Sequence, residues 1–170
     1  MWRRPETDGA RRGAEENRYV DVLKALEMFG GIASRRELVD AGCWEMALDF
    51  MILYRRIVRV RKGWFALRTT PTVSLAAWRV GGTLACVSAL QFHELGAEAV
   101  ERPLHVLVAG AASRLRNTET PPSIVHWTRR PIRGSRLAVG EELARTQARS
   151  CRQLEGTSKC LEAAAAAALP

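Results

Sequence analysis

Three histidines (His93, His105, His126) and four cysteines (Cys43, Cys86, Cys151, Cys160) are the side chains of this 170-residue chain best suited to metal binding or nucleophilic work. No two cysteines form a CxxC pair and none has a zinc-ligand spacing. The expectation is therefore free thiols in a reducing compartment, not a disulfide framework or a metal site. His105 and His126 fall on expected strands and could face each other. Neither has a carboxylate or cysteine at a spacing that builds a metal site or a triad, so all three histidines read as structural. A phosphate-binding loop, a GxSxG nucleophile elbow and a GxGxxG dinucleotide turn are also missing. The pattern points away from an enzyme, and no cofactor or metal is expected.

The second kind of chemistry is charge. Arg55, Arg56, Arg59, Arg61, Lys62 and Arg68 place six cations in fourteen residues with no acid between them. Six phosphate contacts would make binding strongly salt-dependent, with a slope of roughly −0.9 per contact. Trp64, beside Arg61, can stack on a sugar or make a cation–π pair. Arg35 and Arg36 open a helix, where amides and the positive dipole end also suit a phosphate. Arg3, Arg4, Arg11 and Arg12 read as a disordered segment or a minor-groove arm. A further cluster, Arg114, Arg116, Arg129, Arg130, Arg133 and Arg136, is interrupted only by Glu119 and suits either DNA or an acidic partner. The whole chain carries 26 basic against 18 acidic residues, a net charge of +8, which favours an anionic partner. Only Lys24, Lys62 and Lys159 are lysines, a bias that a GC-rich genome also produces.

These side chains must be positioned by regular elements. Residues 1–16 lack periodicity and read as a flexible arm. From Asn17 the apolar residues Val20, Leu23, Leu26 and Phe29 mark an amphipathic helix that Gly30-Gly31 stops. Ser34 and Glu37 form a capping box for a short helix, Arg35 to Asp40, and a third helix is expected from about Trp44 to Arg55. Alternation then begins, with Lys62-Gly63 as a two-residue hairpin turn. The expected register sets Val60 opposite Phe65, Val58 opposite Leu67 and Arg61 opposite Trp64. One face of the hairpin would then be apolar, and the other would offer Arg59, Arg61 and Trp64 to solvent or phosphate.

The resulting fold class is α+β: a winged helix-turn-helix over 17–70, followed by a small α+β domain over 73–139. In that second part a helix is expected from Val73 to Val80, a strand from Thr83 to Val87, and a brief helix, Ala89 to Leu95, capped by Ser88. Strands follow at Leu104 to Ala109 and Ile124 to Thr128. Residues 140–170 read as a helical or disordered low-complexity tail, with a polar helix over Glu141 to Glu155 and an alanine run at the end. The first residues do not form a secretory signal and the apolar runs are short, so a soluble cytoplasmic protein is expected.

Residues Gly30-Gly31-Ile32-Ala33-Ser34-Arg35-Arg36-Glu37-Leu38-Val39-Asp40-Ala41-Gly42 carry a family likeness, as do Arg56 to Leu67, RIVRVRKGWFAL. Together they resemble the N-terminal winged-helix domain of AbiEi-type antitoxins. Cys86-Val87-Ser88-Ala89-Leu90 and Leu104 to Val108 are similar to later segments of the same family. The resemblance spans roughly residues 18–139. It implies a DNA-binding domain that represses its own operon and a following domain that opposes a nucleotidyltransferase toxin. Two features depart from the family. The third helix carries Glu45 and Asp49 where family members are basic, and the sequence after Val139 diverges.

The leading expectation is a transcriptional repressor and antitoxin whose partner is double-stranded DNA, with the toxin as a second partner and no membrane. Arg35, Arg36, Trp44, Arg55, Arg56, Arg59, Arg61, Lys62 and Trp64 are the candidate DNA-binding residues. The rival readings are a protein-interaction module, anchored by Trp44, Phe50 and Tyr54, and a truncated remnant of a longer nuclease-type protein. Whether Glu45 and Asp49 are free or neutralised by arginines separates the first two.

Overall fold

In the computed structural model the described residues are 20–112, 115–132 and 134–151. The expected N-terminal arm, Arg114, Arg133, Cys160 and the alanine run lie outside them. The first elements are helix α1 (Val22–Met28), strand β1 (Ile32–Ser34), helix α2 (Arg35–Asp40), helix α3 (Glu45–Leu53) and strands β2 (Ile57–Arg61) and β3 (Trp64–Leu67). Then come α4 (Thr72–Val80), β4 (Thr83–Leu84), α5 (Cys86–Leu95), a 3-10 turn (Ala97–Ala99), β5 (His105–Ala109), β6 (Ile124–Thr128) and α6 (Glu141–Ser150). The fold is mixed α+β, with two three-stranded sheets.

Local chemistry sets the first boundaries. The Asp21 carboxylate accepts from the Leu23 N–H at 2.8 Å, so α1 starts at Val22. Gly30 and Gly31, at φ 72° and 91°, end it in a conformation that disfavours other residues. The capping box forms at α2 as expected: the Glu37 carboxylate accepts from the Ser34 N–H at 2.8 Å, and the Glu37 N–H donates to Ser34 Oγ at 3.2 Å.

The first sheet runs β1-β3-β2, all antiparallel. Arg61 pairs with Trp64 as expected, but the rest of the expected register is wrong. Arg59 lies opposite Phe65, Val58 opposite Ala66 and Ile57 opposite Leu67, because Val60 is an extra residue in a β-bulge. The bulge turns Val60 toward a small cluster with Ile32, Ala66 and Leu75, against which Trp64, Trp78 and Leu137 pack. The sheet is thus covered on both faces. Phe65, Ala33 and Ile57 join Leu26, Leu38 and Leu48 of the helices, and α4 covers the other side.

The second sheet runs β4-β5-β6, antiparallel between β4 and β5 and parallel between β5 and β6. The expected strand over Thr83 to Val87 is shorter: β4 stops at Leu84 and α5 begins at Cys86. Ser88 is no cap; its hydroxyl accepts from the His105 N–H of β5 at 2.9 Å. Cys86 enters the helix at φ 50°, and its N–H donates to Gln147 Oε1 of α6 at 3.1 Å. Helix α6 buries Ala144 and Ala148 in the same cluster as Leu84, Leu90, Leu104 and Val106.

Candidate functional site

Helix α3 and the strands after it carry most of the candidate residues. The helix rests on Leu48, its one fully buried side chain, with Ala47, Met51 and Ile52 packed alongside. Its outer side is apolar. Met46, Phe50 and Leu53 recur at helical spacing on one stripe, and Leu53 and Tyr54 are 70% and 71% exposed. Trp44 caps the helix and is exposed.

Glu45 and Asp49 flank that stripe, one turn apart. Arg35, at the start of α2, reaches both: its guanidinium donates to Glu45 Oε1 at 3.0 Å and to Asp49 Oδ1 at 2.9 Å. The bonds to Asp49 and Glu45 raise the pKa of Arg35 further. Both carboxylates stay about two-thirds exposed, at 64% and 66%, so one cation is shared between two solvated acids. The acidic face is thus partly neutralised, and Arg35 is engaged in doing so.

The other candidates divide into two groups. Arg36, Arg55, Arg56, Arg59 and Lys62 are exposed. Arg36 lies 3.5 Å from Asp40 one turn on, an exposed pair of little energetic weight. Arg68 is exposed as well, and donates to the Arg55 carbonyl at 3.2 Å. Arg61 and Trp64 are half-buried rather than fully offered to solvent as expected, because α4 covers that face. The Trp64 and Trp78 rings sit 4.4 Å apart, and the Arg61 guanidinium lies 5.2 Å and 5.8 Å from their centroids. Burial lowers the pKa of Arg61, whose Nε is buried without a hydrogen-bond partner.

The second basic cluster is also divided. Arg116, Arg129 and Arg130 are exposed. Arg136 instead forks onto Glu37 of α2, with bonds of 2.7 and 2.9 Å, and lies over the Phe29 ring at 5.1 Å.

A different group of residues was set aside in the sequence for lack of spacing. His105 of β5 and His126 of β6 face each other across the parallel pair, with Nδ1 of one 3.0 Å from Nε2 of the other. Cys151, just past α6, brings Sγ to 3.8 Å from His105 Nδ1. Cys86 completes the group, and one ligand atom from each of the four residues lies within 4.8 Å of all the others. Burial, with a smaller contribution from His126, lowers the pKa of His105 to about 4, and burial also lowers that of His126. Both imidazoles are therefore neutral at physiological pH. Cys86 and Cys151 are 65 positions apart in sequence, so no local motif announces them; only the expected pairing of His105 with His126 hinted at the site.

No family model and no curated protein matches the chain. Among the described residues no helix is long and apolar enough to cross a membrane.

Proposed function

We propose that residues 22–67 are a winged helix-turn-helix unit and that the chain is a DNA-binding transcriptional regulator of the AbiEi-antitoxin type. The observation that carries this reading is the order helix–strand–helix–helix–hairpin, with β3 of the hairpin paired centrally between β1 and β2. In that arrangement α3 is the element that enters the major groove. Arg55, Arg56, Arg59 and Lys62 surround its C-terminal end and the hairpin, where they supply phosphate contacts. Arg35 acts by damping the repulsion of Glu45 and Asp49, and Arg61 and Trp64 hold the hairpin against α4. The test is binding of the full chain to its own upstream DNA, titrated against salt with random competitor present. Tight, competitor-resistant binding supports the reading. Binding wholly lost to competitor overturns sequence-specific regulation.

A second reading is favoured by one observation, the apolar stripe Met46, Phe50, Leu53 and Tyr54 on the outer side of α3. Such a stripe, flanked by acids, suits a protein groove better than a phosphate-lined one. Here α3 docks a protein partner, of which the nucleotidyltransferase toxin implied by the family resemblance is the natural case. The paired variants Arg59→Glu/Lys62→Glu and Met46→Ser/Phe50→Ser separate the two. Under the first reading the charge reversal abolishes DNA binding. Under the second it leaves partner binding intact and the serine pair abolishes it.

A further inference from the structure

We propose that Cys86, His105, His126 and Cys151 form a structural zinc site in the second part of the chain, a feature independent of the DNA-binding reading. The four residues come from four places: the first turn of α5, the two parallel strands β5 and β6, and the end of α6. Tetrahedral zinc takes sulfur at about 2.3 Å and nitrogen at about 2.0–2.1 Å, so its ligand atoms stand roughly 3.3–3.8 Å from one another. The observed His105–His126 separation of 3.0 Å and Cys151–His105 separation of 3.8 Å bracket that range, and the whole set falls within 4.8 Å. Small side-chain rotations would close four atoms on one ion.

The donor set fits zinc in kind as well as in distance. Two thiolates and two neutral imidazoles give a borderline-soft S2N2 site with no net charge once a divalent cation is bound. Neutrality matters here, because Cys86 and His105 are buried and an uncompensated charge would be expensive. Binding displaces the two thiol protons to solvent. In the His105–His126 contact one of the two facing nitrogens carries a proton; it moves to that ring's other nitrogen, so both lone pairs are directed at the metal. All four positions are filled by protein, as in structural sites, leaving none open for a water or substrate.

Surrounding bonds hold the ligands in place. The Cys86 N–H donates to Gln147 Oε1 on α6, and the His105 N–H to Ser88 Oγ on α5, so each of these ligands is tied to a neighbouring helix. Cys86 itself sits at φ 50°, a conformation unfavourable for a residue with a Cβ, and this directs its side chain from the strand–helix junction toward the cluster.

The test begins with metal analysis of the untagged full chain, followed by cobalt substitution. The expected result is about one zinc per chain. The cobalt form should show tetrahedral d–d absorption together with a thiolate-to-cobalt charge-transfer band. Cys151→Ser and His126→Asn should each compete for zinc against a chelator at least tenfold less well, while Cys43→Ser, outside the cluster, should match the parent. Cys151 lies at a half-exposed helix end, so its variant is informative even if Cys86→Ser fails to fold. Three results would each overturn the site: no zinc retained or taken up, a cobalt spectrum without the thiolate band, or a Cys86–Cys151 disulfide in freshly purified protein.

Discussion

Arg136 and Glu37, 99 positions apart, close a two-bond fork at 2.7 and 2.9 Å that ties the loop before α6 to the first turn of α2. Glu37 already accepts from the Ser34 N–H and hydroxyl, so one carboxylate both caps a helix and joins the two parts of the chain. Around Arg136 the Phe29 and Trp64 rings complete the joint, and its carbonyl accepts from Trp78 Nε1 at 2.6 Å.

That fork predicts an acid-sensitive joint. The hydrogen bonds from Arg136, aided by those from Ser34, lower the pKa of Glu37 to about 2 from an ordinary 4.5. The stabilisation is fully present above pH 4.5 and is lost as pH falls toward 2, where the folded-state carboxyl is protonated. Because about a third of the Glu37 side chain is exposed, solvent screening reduces its worth to about 1 kcal/mol. Denaturant unfolding at pH 6 and pH 3 should show this loss in the parent. Glu37→Gln, which retains the capping geometry, should be less stable at pH 6 and show a smaller loss on acidification.

The bridging role of Arg35 gives a different signature from a phosphate contact. On the DNA-binding reading proposed above, Arg35→Ala should weaken DNA binding by about tenfold, because two acids on α3 are then unopposed. Adding Glu45→Gln and Asp49→Asn should recover most of that loss. Lys62→Glu, by contrast, should not be rescued by the same pair and should also flatten the salt dependence by at least about 0.9. Fluorescence anisotropy across a salt series distinguishes them.

Arg61 lies against Trp64 and Trp78 with a buried, unpartnered Nε, so the cation–π attraction of its charge is offset by the cost of burying it. Arg61→Met should leave stability unchanged or raise it by up to about 1 kcal/mol, with DNA affinity near that of the parent. Trp78→Ala removes the ring packed on Trp64 and should cost about 2–3 kcal/mol. Thermal unfolding followed by tryptophan fluorescence reads both.

Gly82 lies so close to β5 that an added Cβ would run into the Leu107 carbonyl. Backbone blocks the way and no side chain can swing aside, so Gly82→Ala should destabilise by on the order of 3 kcal/mol. Gly30 faces open space at φ 72°, and Gly30→Ala should cost only about 1 kcal/mol of backbone strain. The difference between their denaturant midpoints checks the close approach.

Local signals were the most legible part of the chain. The Ser34–Glu37 box, the glycine pair after α1 and the Lys62-Gly63 turn each act within a few residues, and each forms as expected. The hairpin register was not legible, because the Val60 bulge packs on Ile32 of β1 and Leu75 of α4 as well as on Ala66 within the hairpin. The fates of Arg61 and Trp64 follow from the same cause: a face that looks polar by alternation is covered by a later helix. Ser88 illustrates a competing use of a cap residue, since its hydroxyl is taken by β5. The Cys/His cluster needs four elements in register before any of its spacing is visible. Only the His105–His126 pairing across two expected strands hinted at it.

Helix α6 supplies Ala144 and Ala148 to a core whose other members all precede residue 140, and its Gln147 reaches back 61 residues to Cys86. During synthesis the two parts of the chain consequently mature at different moments. The segment through Leu67 has its helices and both hairpin strands in hand while the rest is still being made. The apolar surfaces of α5 and β5 stay partly uncovered until α6 has been made and docks on them.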